Sequence, residues 1–517
     1  MKLGMTWTWV GRHLAHLYPL GFAVLPALHT VAYQPGKASL SDLALISMAL
    51  VAAFGASYSL IVWAFGPTWK ASLYVFAGVV WFYGSPYIVR LASGAVSLRL
   101  AALLVALGTA GAVHWLQRRP DRLETASRIL VGTALLMVAW TSLRIGLTVI
   151  RERRALATST LQSDLAKPIP LAPARIATPK PSIYLLILDE YANSQVLQEQ
   201  FGFDNHEFED SLRRLGFTIP HLVRSNYVHT TLSLASLLNF THLYHVPEEL
   251  GPTNDDPTLT NDLVENNRAV RFLRSEGYRF AFFPSVWWPA TARNRNADWA
   301  FAIPDGVNLW HALARTELRR GLWNRSLLRM VGPTVASVDA LYLRETFKGL
   351  RRLDTGGAPT FVLAHLILPH TPYVFDAVCR TTSAPDVRDR RRYLDQLRCA
   401  NAMVLDLVTE VLRRAPTPPL ILLQGDHGSA MLGYNLAPTA RRISAAQARE
   451  RFGAFGAYYL PGAGDRLLGD TLTLVNLFPK ILNHYFGANV PPVPDDLLVS
   501  LEQTPLDFVL VDPISLR

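Results

Sequence analysis

The feature that most constrains this chain is the uneven distribution of its apolar residues. Of 517 residues, roughly the first 150 are dominated by long apolar runs, and the remainder is not. Five stretches stand out, approximately 16–33, 43–65, 71–89, 96–116 and 129–149. Each is close to the ~20 residues of helix that span a hydrocarbon core about 30 Å thick. The connections are short and carry Pro, Gly, Lys or Arg. The first stretch has a long apolar part and four more follow it, so it is read as an uncleaved helix and not as a signal peptide. The spans hold almost no ionisable residue, whereas conduits usually carry some at mid-membrane. An anchor or lipid-facing platform is expected, not a transporter.

The charge pattern agrees. Only 17% of residues are charged and the formal net charge is +10. The blocks Arg118, Arg119, Arg122 and Arg151, Arg153, Arg154 flank apolar spans, as juxtamembrane anchors do. No basic stripe interleaved with aromatics follows, which argues against nucleic-acid binding. The basic residues are spread over both sides of the spans, so charge alone leaves the orientation open.

Residues 155–181 carry Pro168, Pro170, Pro173, Pro179 and Pro181 without an apolar period, and read as a semi-rigid linker. Beyond it the pattern becomes short apolar runs alternating with helical periodicity. The runs are Ile183–Leu188, Tyr278–Phe283, Phe361–Leu368 and Leu420–Leu423. Continuous apolar runs fit strands buried on both faces of a parallel sheet. Leu397, Ala400, Val404, Val408 and Val411 recur at helical spacing just before the last run. The expected fold is a doubly wound, mostly parallel α/β sheet.

Three of these strands end in acidic or imidazole groups: Asp189 with Glu190, His370, and Asp426 with His427. Ligands bind outside the carboxyl ends of such strands. Carboxylate oxygen with imidazole nitrogen suits zinc or manganese. A hydroxyl candidate lies in the segment from Ser225 to Ser236, where Thr230 reads as the N-cap of a helix running to about Phe240. There a hydroxyl meets backbone N–H groups and the positive end of the helix dipole, which favours an alkoxide or a phosphate oxygen. Thr231 is the competing nucleophile, which spacing does not exclude. His229 reads as an exposed loop residue, and Trp287, Trp288 and Trp299 as an aromatic cluster for an acyl or glycan cleft, or as core. Cys379 and Cys399, the two cysteines of the chain, could pair in an oxidising compartment.

These motifs together resemble the sulfatase-type branch of the alkaline phosphatase superfamily. They are Leu185-Leu186-Ile187-Leu188-Asp189-Glu190-Tyr191, Ser225-Asn226-Tyr227 with Thr230 and Ser233, His365 through Pro369-His370-Thr371-Pro372-Tyr373, and Gln424-Gly425-Asp426-His427-Gly428. The layout of spans, linker and domain is similar to lipoteichoic acid synthases (phosphoglycerol transferases) and lipid A phosphoethanolamine transferases. The resemblance implies a transmembrane bundle of about five α-helices over 1–150, a linker over 151–181, and an extracytoplasmic catalytic domain of sulfatase type over 182–517. It implies a multi-pass protein of a bacterial inner membrane with that domain on the periplasmic or extracellular side.

The resemblance also implies roles. A divalent metal, zinc or manganese, would be held by Asp189 or the adjacent Glu190, by Thr230, and by Asp426 and His427. Thr230 would carry a covalent intermediate. His370 would bind the substrate phosphate or assist the leaving group, with His365 and Asn226 also at the substrate. The donor would be a membrane phospholipid, and the acceptor an envelope glycan or lipid. Two departures matter. No Cys-X-Pro-X-Arg segment is present, so formylglycine sulfatase chemistry is not expected. No histidine follows His427 until His484, which leaves phosphoglycerol and phosphoethanolamine both open as headgroup. A hydrolase of the same fold and a catalytically silent scaffold are the rivals.

Overall fold

A computed structural model describes residues 16–34, 39–66, 69–92, 120–171, 180–285, 289–303, 316–331, 334–382, 389–463 and 465–512, with isolated positions between 103 and 118. It divides into two compact units, 1–154 with 308–334, and 155–307 with 335–517.

In the first unit, helices form over Tyr18–Tyr33, Leu40–Phe65, Trp69–Ala92 and Pro120–Thr158. Four of the five apolar stretches are therefore helical, while the fourth, 96–116, lies almost wholly outside the described residues. By length and composition, two of these helices could cross a membrane, through Leu40–Ala64 and Thr125–Thr158. Ser39 caps the second helix by accepting the Asp42 N–H at 3.1 Å. The segment 308–334 is read from sequence as part of the soluble domain, but it belongs to this unit. Its helix Glu317–Asn324 places Arg319 2.6 Å from the buried Asp42 carboxylate.

The linker reading needs correction at its start. Helix continues to Thr158, and a further short helix covers Thr160–Leu165. Leu161 and Leu165 stand one turn apart and are buried in the α/β core. Glu249 Oε1 accepts the N–H groups of Thr160 and Leu161 at 2.9 and 3.0 Å, satisfying donors that the first turn leaves free. The apolar pair was hidden by the prolines that follow.

The second unit is built on a six-stranded sheet. Its strands are β1 (Ile183–Leu188), β3 (Arg279–Phe283), β4 (Trp299–Ala300), β5 (Thr360–Leu366), β6 (Leu420–Gly425) and β7 (Gly456–Tyr459), in the order β4-β3-β5-β1-β6-β7. All pairs are parallel except β6 with β7. Every residue of β1 is buried, and its side chains alternate between two cores. Ile183, Leu185 and Ile187 enter one; Tyr184, Leu186 and Leu188 enter the other. That alternation is why the strand reads as an unbroken apolar run. On the second face lies the helix Arg390–Arg414, whose Leu397, Ala400, Val404, Val408 and Val411 are all buried, as their spacing predicts. Beside the main sheet lie two small ones: β2 (Leu222–Arg224) with β8 (Thr471–Thr473), and β9 (Leu497–Leu501) with β10 (Thr504–Val511). Cys379 and Cys399 are joined by a disulfide. Trp287 and Trp288 lie outside the described residues, and Trp299 packs at the sheet edge against Phe283 and Phe301.

The turn after β6 is tightly packed. A Cβ on Gly428 would stand 2.0 Å from the Glu450 carbonyl oxygen and 2.7 Å from that of Gly453. Both obstacles are backbone and cannot rotate away. Gly428→Ala is expected to destabilise the domain by about 1–3 kcal/mol or more, read as a lowered thermal midpoint of the purified protein.

Candidate active site

Strand register brings the acidic groups together. Leu188 pairs with Leu366 on one side and with Gly425 on the other. The next residues, Asp189 and Asp426, therefore emerge side by side at the carboxyl end of the sheet, and both are fully buried. Asp426 Oδ1 accepts the backbone N–H groups of Glu190 at 3.1 Å and His427 at 3.0 Å. Glu190 adopts a left-handed backbone (φ 61°), a conformation that L-residues rarely take, and the turn presents its N–H to that oxygen.

His427 directs Nε2 at the Thr230 hydroxyl, 3.0 Å away. Its Nδ1 lies 3.1 Å from the Gly428 carbonyl. Asp189, Asp426 and His427 offer ligand atoms all within 4.8 Å of one another. Two buried carboxylate oxygens, Asp189 Oδ1 and Asp426 Oδ2, have no hydrogen-bond partner. The second lies 3.2 Å from His427 Nε2, in contact but outside hydrogen-bond geometry. Orphaned buried carboxylate oxygens are costly. Two of them on residues grouped with an imidazole fit a divalent metal of the zinc or manganese type.

The electrostatics follow from crowding. Burial opposes the charge of Asp189, but His370 and His365 hold its carboxyl below the usual range. Burial and the neighbouring Asp189 push Asp426 well above it. His427 is driven well below the ordinary imidazole value by burial and by Arg451. Two adjacent carboxylates of this kind titrate as a pair.

The hydroxyl lies on the helix Thr230–Asn239. Here the sequence reading is corrected by one position. The N-cap is His229, with extended backbone, and Thr230 is the first helical residue. Its hydroxyl points to His427. Thr230 is buried, whereas Thr231 is partly exposed. His229 is also not the exposed loop residue expected. Its Nε2 is 3.2 Å from the Ser500 carbonyl and its Nδ1 3.4 Å from the Tyr434 hydroxyl, and burial with the nearby Arg451 lowers its pKa to about 3.

The remaining expected residues divide. His370 is half-buried on the loop after β5, its Nδ1 bonded to the Thr371 carbonyl. Burial disfavours its charge, but Asp189 and Glu190 outweigh this and raise its pKa. His365 is fully buried within β5. Its Nε2 lies 3.1 Å from Asp189 Oδ2 and its Nδ1 2.6 Å from the Thr291 hydroxyl, so it holds a carboxylate and is not free for substrate. Asn226 is likewise engaged. Its amide donates to the Asp496 carbonyl at 2.9 Å and accepts the Val475 N–H at 2.8 Å. Glu190 Oε1 is 3.0 Å from Arg451 Nη1, which leaves Asp189 as the better placed of the two acids for a metal.

Two residues were not anticipated. Gln396 donates from Nε2 to the carbonyls of Pro369 and His370 at 3.1 and 2.8 Å, while its Oε1 accepts the Val374 N–H at 2.6 Å. It fixes the loop that carries His370. Arg451 is almost fully buried and binds Glu190, the Gly428 carbonyl at 2.7 Å and the Val228 carbonyl, with its guanidinium 4.7 Å over the Tyr434 ring. It thus ties together the β1 turn, the β6 turn and the segment before Thr230. Removing one member of a buried ion pair typically costs about 3–5 kcal/mol. Arg451→Met is expected to approach that loss, seen as a shifted urea midpoint, with Glu190→Gln in the same background restoring part of it.

Neither a protein-family model nor a curated protein matches this chain in sequence. Among solved structures it is similar to the C-terminal periplasmic domain of EptC from Escherichia coli in complex with Zn. The identity is 13%, over 63% of this chain and 87% of that one, with a TM-score of 0.41. It is also similar to the C-terminal periplasmic domain of the phosphoethanolamine transferase EptC from Campylobacter jejuni, at 11% identity over 64% and 94% of the two chains, TM-score 0.37. A protein of the alkaline phosphatase superfamily from Vibrio parahaemolyticus matches at 10% identity over 65% and 76%, TM-score 0.38.

Proposed function

We propose that this chain is a metal-dependent phosphotransferase of the alkaline phosphatase and sulfatase type, anchored in a bacterial cytoplasmic membrane by about five helices. It moves the phospho-headgroup of a membrane phospholipid, phosphoglycerol or phosphoethanolamine, to an envelope glycan or lipid. The observation that carries this reading is the Thr230 hydroxyl 3.0 Å from His427 Nε2, beside the two orphaned oxygens of Asp189 and Asp426.

Asp189, Asp426, His427 and Thr230 would hold the metal. When bound, such an ion lowers the pKa of the hydroxyl and offsets charge on the phosphoryl oxygens. Thr230 would enter as the alkoxide, its proton already lost to solvent, and its Oγ1 attacks phosphorus while the first-turn N–H groups of its helix receive a non-bridging oxygen. The bond from phosphorus to the glyceride oxygen breaks as the Thr230–phosphorus bond forms. His370, whose raised pKa favours the protonated form, gives a proton to the leaving alkoxide, and a diacylglycerol departs. An acceptor hydroxyl then attacks phosphorus from the vacated side, loses its proton to His370, and frees Thr230. Arg451 and Gln396 keep the four participating segments in register.

The experiment is incubation of purified protein with phosphatidylglycerol or phosphatidylethanolamine vesicles, then mass spectrometry of the Thr230 peptide. An adduct with the mass of one headgroup phosphate supports the reading and names the donor. Release of free phospho-headgroup at an equal rate with and without added glycan favours the hydrolase reading. Neither adduct nor product, in protein carrying stoichiometric metal, sinks both.

A further inference from the structure

Behind Asp189 runs a line of buried side chains to which the mechanism gives no part. Asp189 Oδ2 is 3.1 Å from His365 Nε2. His365 Nδ1 is 2.6 Å from Thr291 Oγ1. Thr291 Oγ1 is 3.0 Å from Ser285 Oγ, and the Ser285 N–H closes the same loop on the Thr291 carbonyl at 2.9 Å. Ser285, Thr291 and His365 are each at most 3% exposed. Four polar residues from three separate segments thus form one file that ends on a carboxylate.

Contacts at both ring nitrogens fix the imidazole. The Thr291 hydroxyl donates to Ser285 Oγ and sets its own oxygen against His365 Nδ1, while Nε2 faces Asp189 Oδ2. Asp189 Oδ2 is thus occupied, and Oδ1 has no hydrogen-bond partner. A hydroxyl in contact with a ring nitrogen also fixes the plane of the ring, and with it the carboxylate rotamer.

We propose that Thr291, anchored by Ser285, is a positioning residue for the metal site, acting through His365 to hold Asp189 in a monodentate orientation. This rests on the metal-dependent reading above. Partners behind a metal ligand typically change metal affinity by about 10–100-fold when removed, and that is the range expected here.

The test uses the full chain in detergent, stripped of metal, and a chromophoric chelator competing for zinc. Thr291→Val keeps the shape and removes the hydroxyl; Thr291→Ser restores it. Zinc binding about 10–100-fold weaker in Thr291→Val, near wild type in Thr291→Ser, with equal melting of all three metal-free proteins, is the expected result. Wild-type affinity in Thr291→Val overturns the proposal. So does equal weakening in both variants, since packing and not the hydroxyl would then be responsible. Should Thr291→Val fail to fold, Ser285→Ala decides: several-fold weaker zinc supports the anchor, and unchanged zinc refutes it. A wild type that binds no zinc or manganese removes the metal reading itself, which is a different outcome from a wild type and variant that bind alike.

Discussion

Thr230→Ala is expected to lower turnover by at least about 10⁴-fold, in the range seen when a covalent nucleophile is deleted. The protein should fold and melt much as before, because the hydroxyl's contacts are with His427 and Asp426 inside the site and not with the surrounding core. Thr230→Ser keeps the oxygen and should retain measurable activity. Thr231→Ala should stay within about tenfold of wild type, since Thr231 is partly exposed and has no comparable partner in the cluster. Steady-state headgroup release from mixed micelles measures all three. Full activity in Thr230→Ala, with loss in Thr231→Ala, would move the nucleophile by one residue and require the first turn to rotate on binding substrate.

The second large effect concerns Asp426→Asn, and its sign depends on metal. The folded-state pKa of Asp426 is raised by burial and by Asp189. A carboxyl raised in the fold binds a proton that the unfolded chain has already lost. Its contribution is therefore intact below the unfolded value near 4 and is lost as pH climbs towards the folded value. Metal-free wild type should thus weaken as pH rises through this window. The amide introduced by Asp426→Asn keeps an oxygen for the N–H groups of Glu190 and His427, and brings no charge. At neutral pH metal-free Asp426→Asn should be more stable than metal-free wild type, on the order of 1–3 kcal/mol. Adding zinc should reverse the order, because wild type gains about 4 kcal/mol at a thousandfold excess over Kd and the variant gains little. Turnover should fall by roughly 10³-fold, the value of several kcal/mol of lost charge stabilisation. Melting curves with and without metal, at two pH values, give the crossing directly. Parallel curves would mean that Asp426 holds no ion.

Much of this architecture is legible in the sequence, and the reason is geometric. A strand buried on both faces is mostly apolar, so the first acidic residue after such a run marks where it leaves the core. That logic finds Asp189 after β1 and Asp426 with His427 after β6. It falters for residues whose neighbours come from elsewhere in the chain. His365 lies inside a strand, and its partners Asp189 and Thr291 are remote in sequence, so nothing local separates a ligand orienter from a substrate contact. Gln396 and Arg451 come from helices. Arg451 did leave a trace: it stands three residues after Ala448 and one before Phe452, both buried in the helix Ala445–Phe452. A charge on the buried face of an amphipathic helix requires a partner. The one-residue error at the cap has a plainer cause, since His229 supplies only its extended backbone there and no side-chain bond marks the boundary. Among the described residues two helices are long and apolar enough to cross a membrane, and most of the fourth apolar stretch lies outside those residues.

The pairing of Glu190 with Asp426 spans 236 residues of sequence. Arg451, which ties their two turns to the segment before Thr230, comes later still. A polypeptide emerging from its N-terminus can therefore complete every apolar helix, the linker and β1 while possessing no reactive centre at all. The cluster is complete only after β6 has slotted beside β1 and the helix that carries Arg451 has closed. On the proposed reading, the order of synthesis would keep the Thr230 hydroxyl inert until the last of its partners has been made.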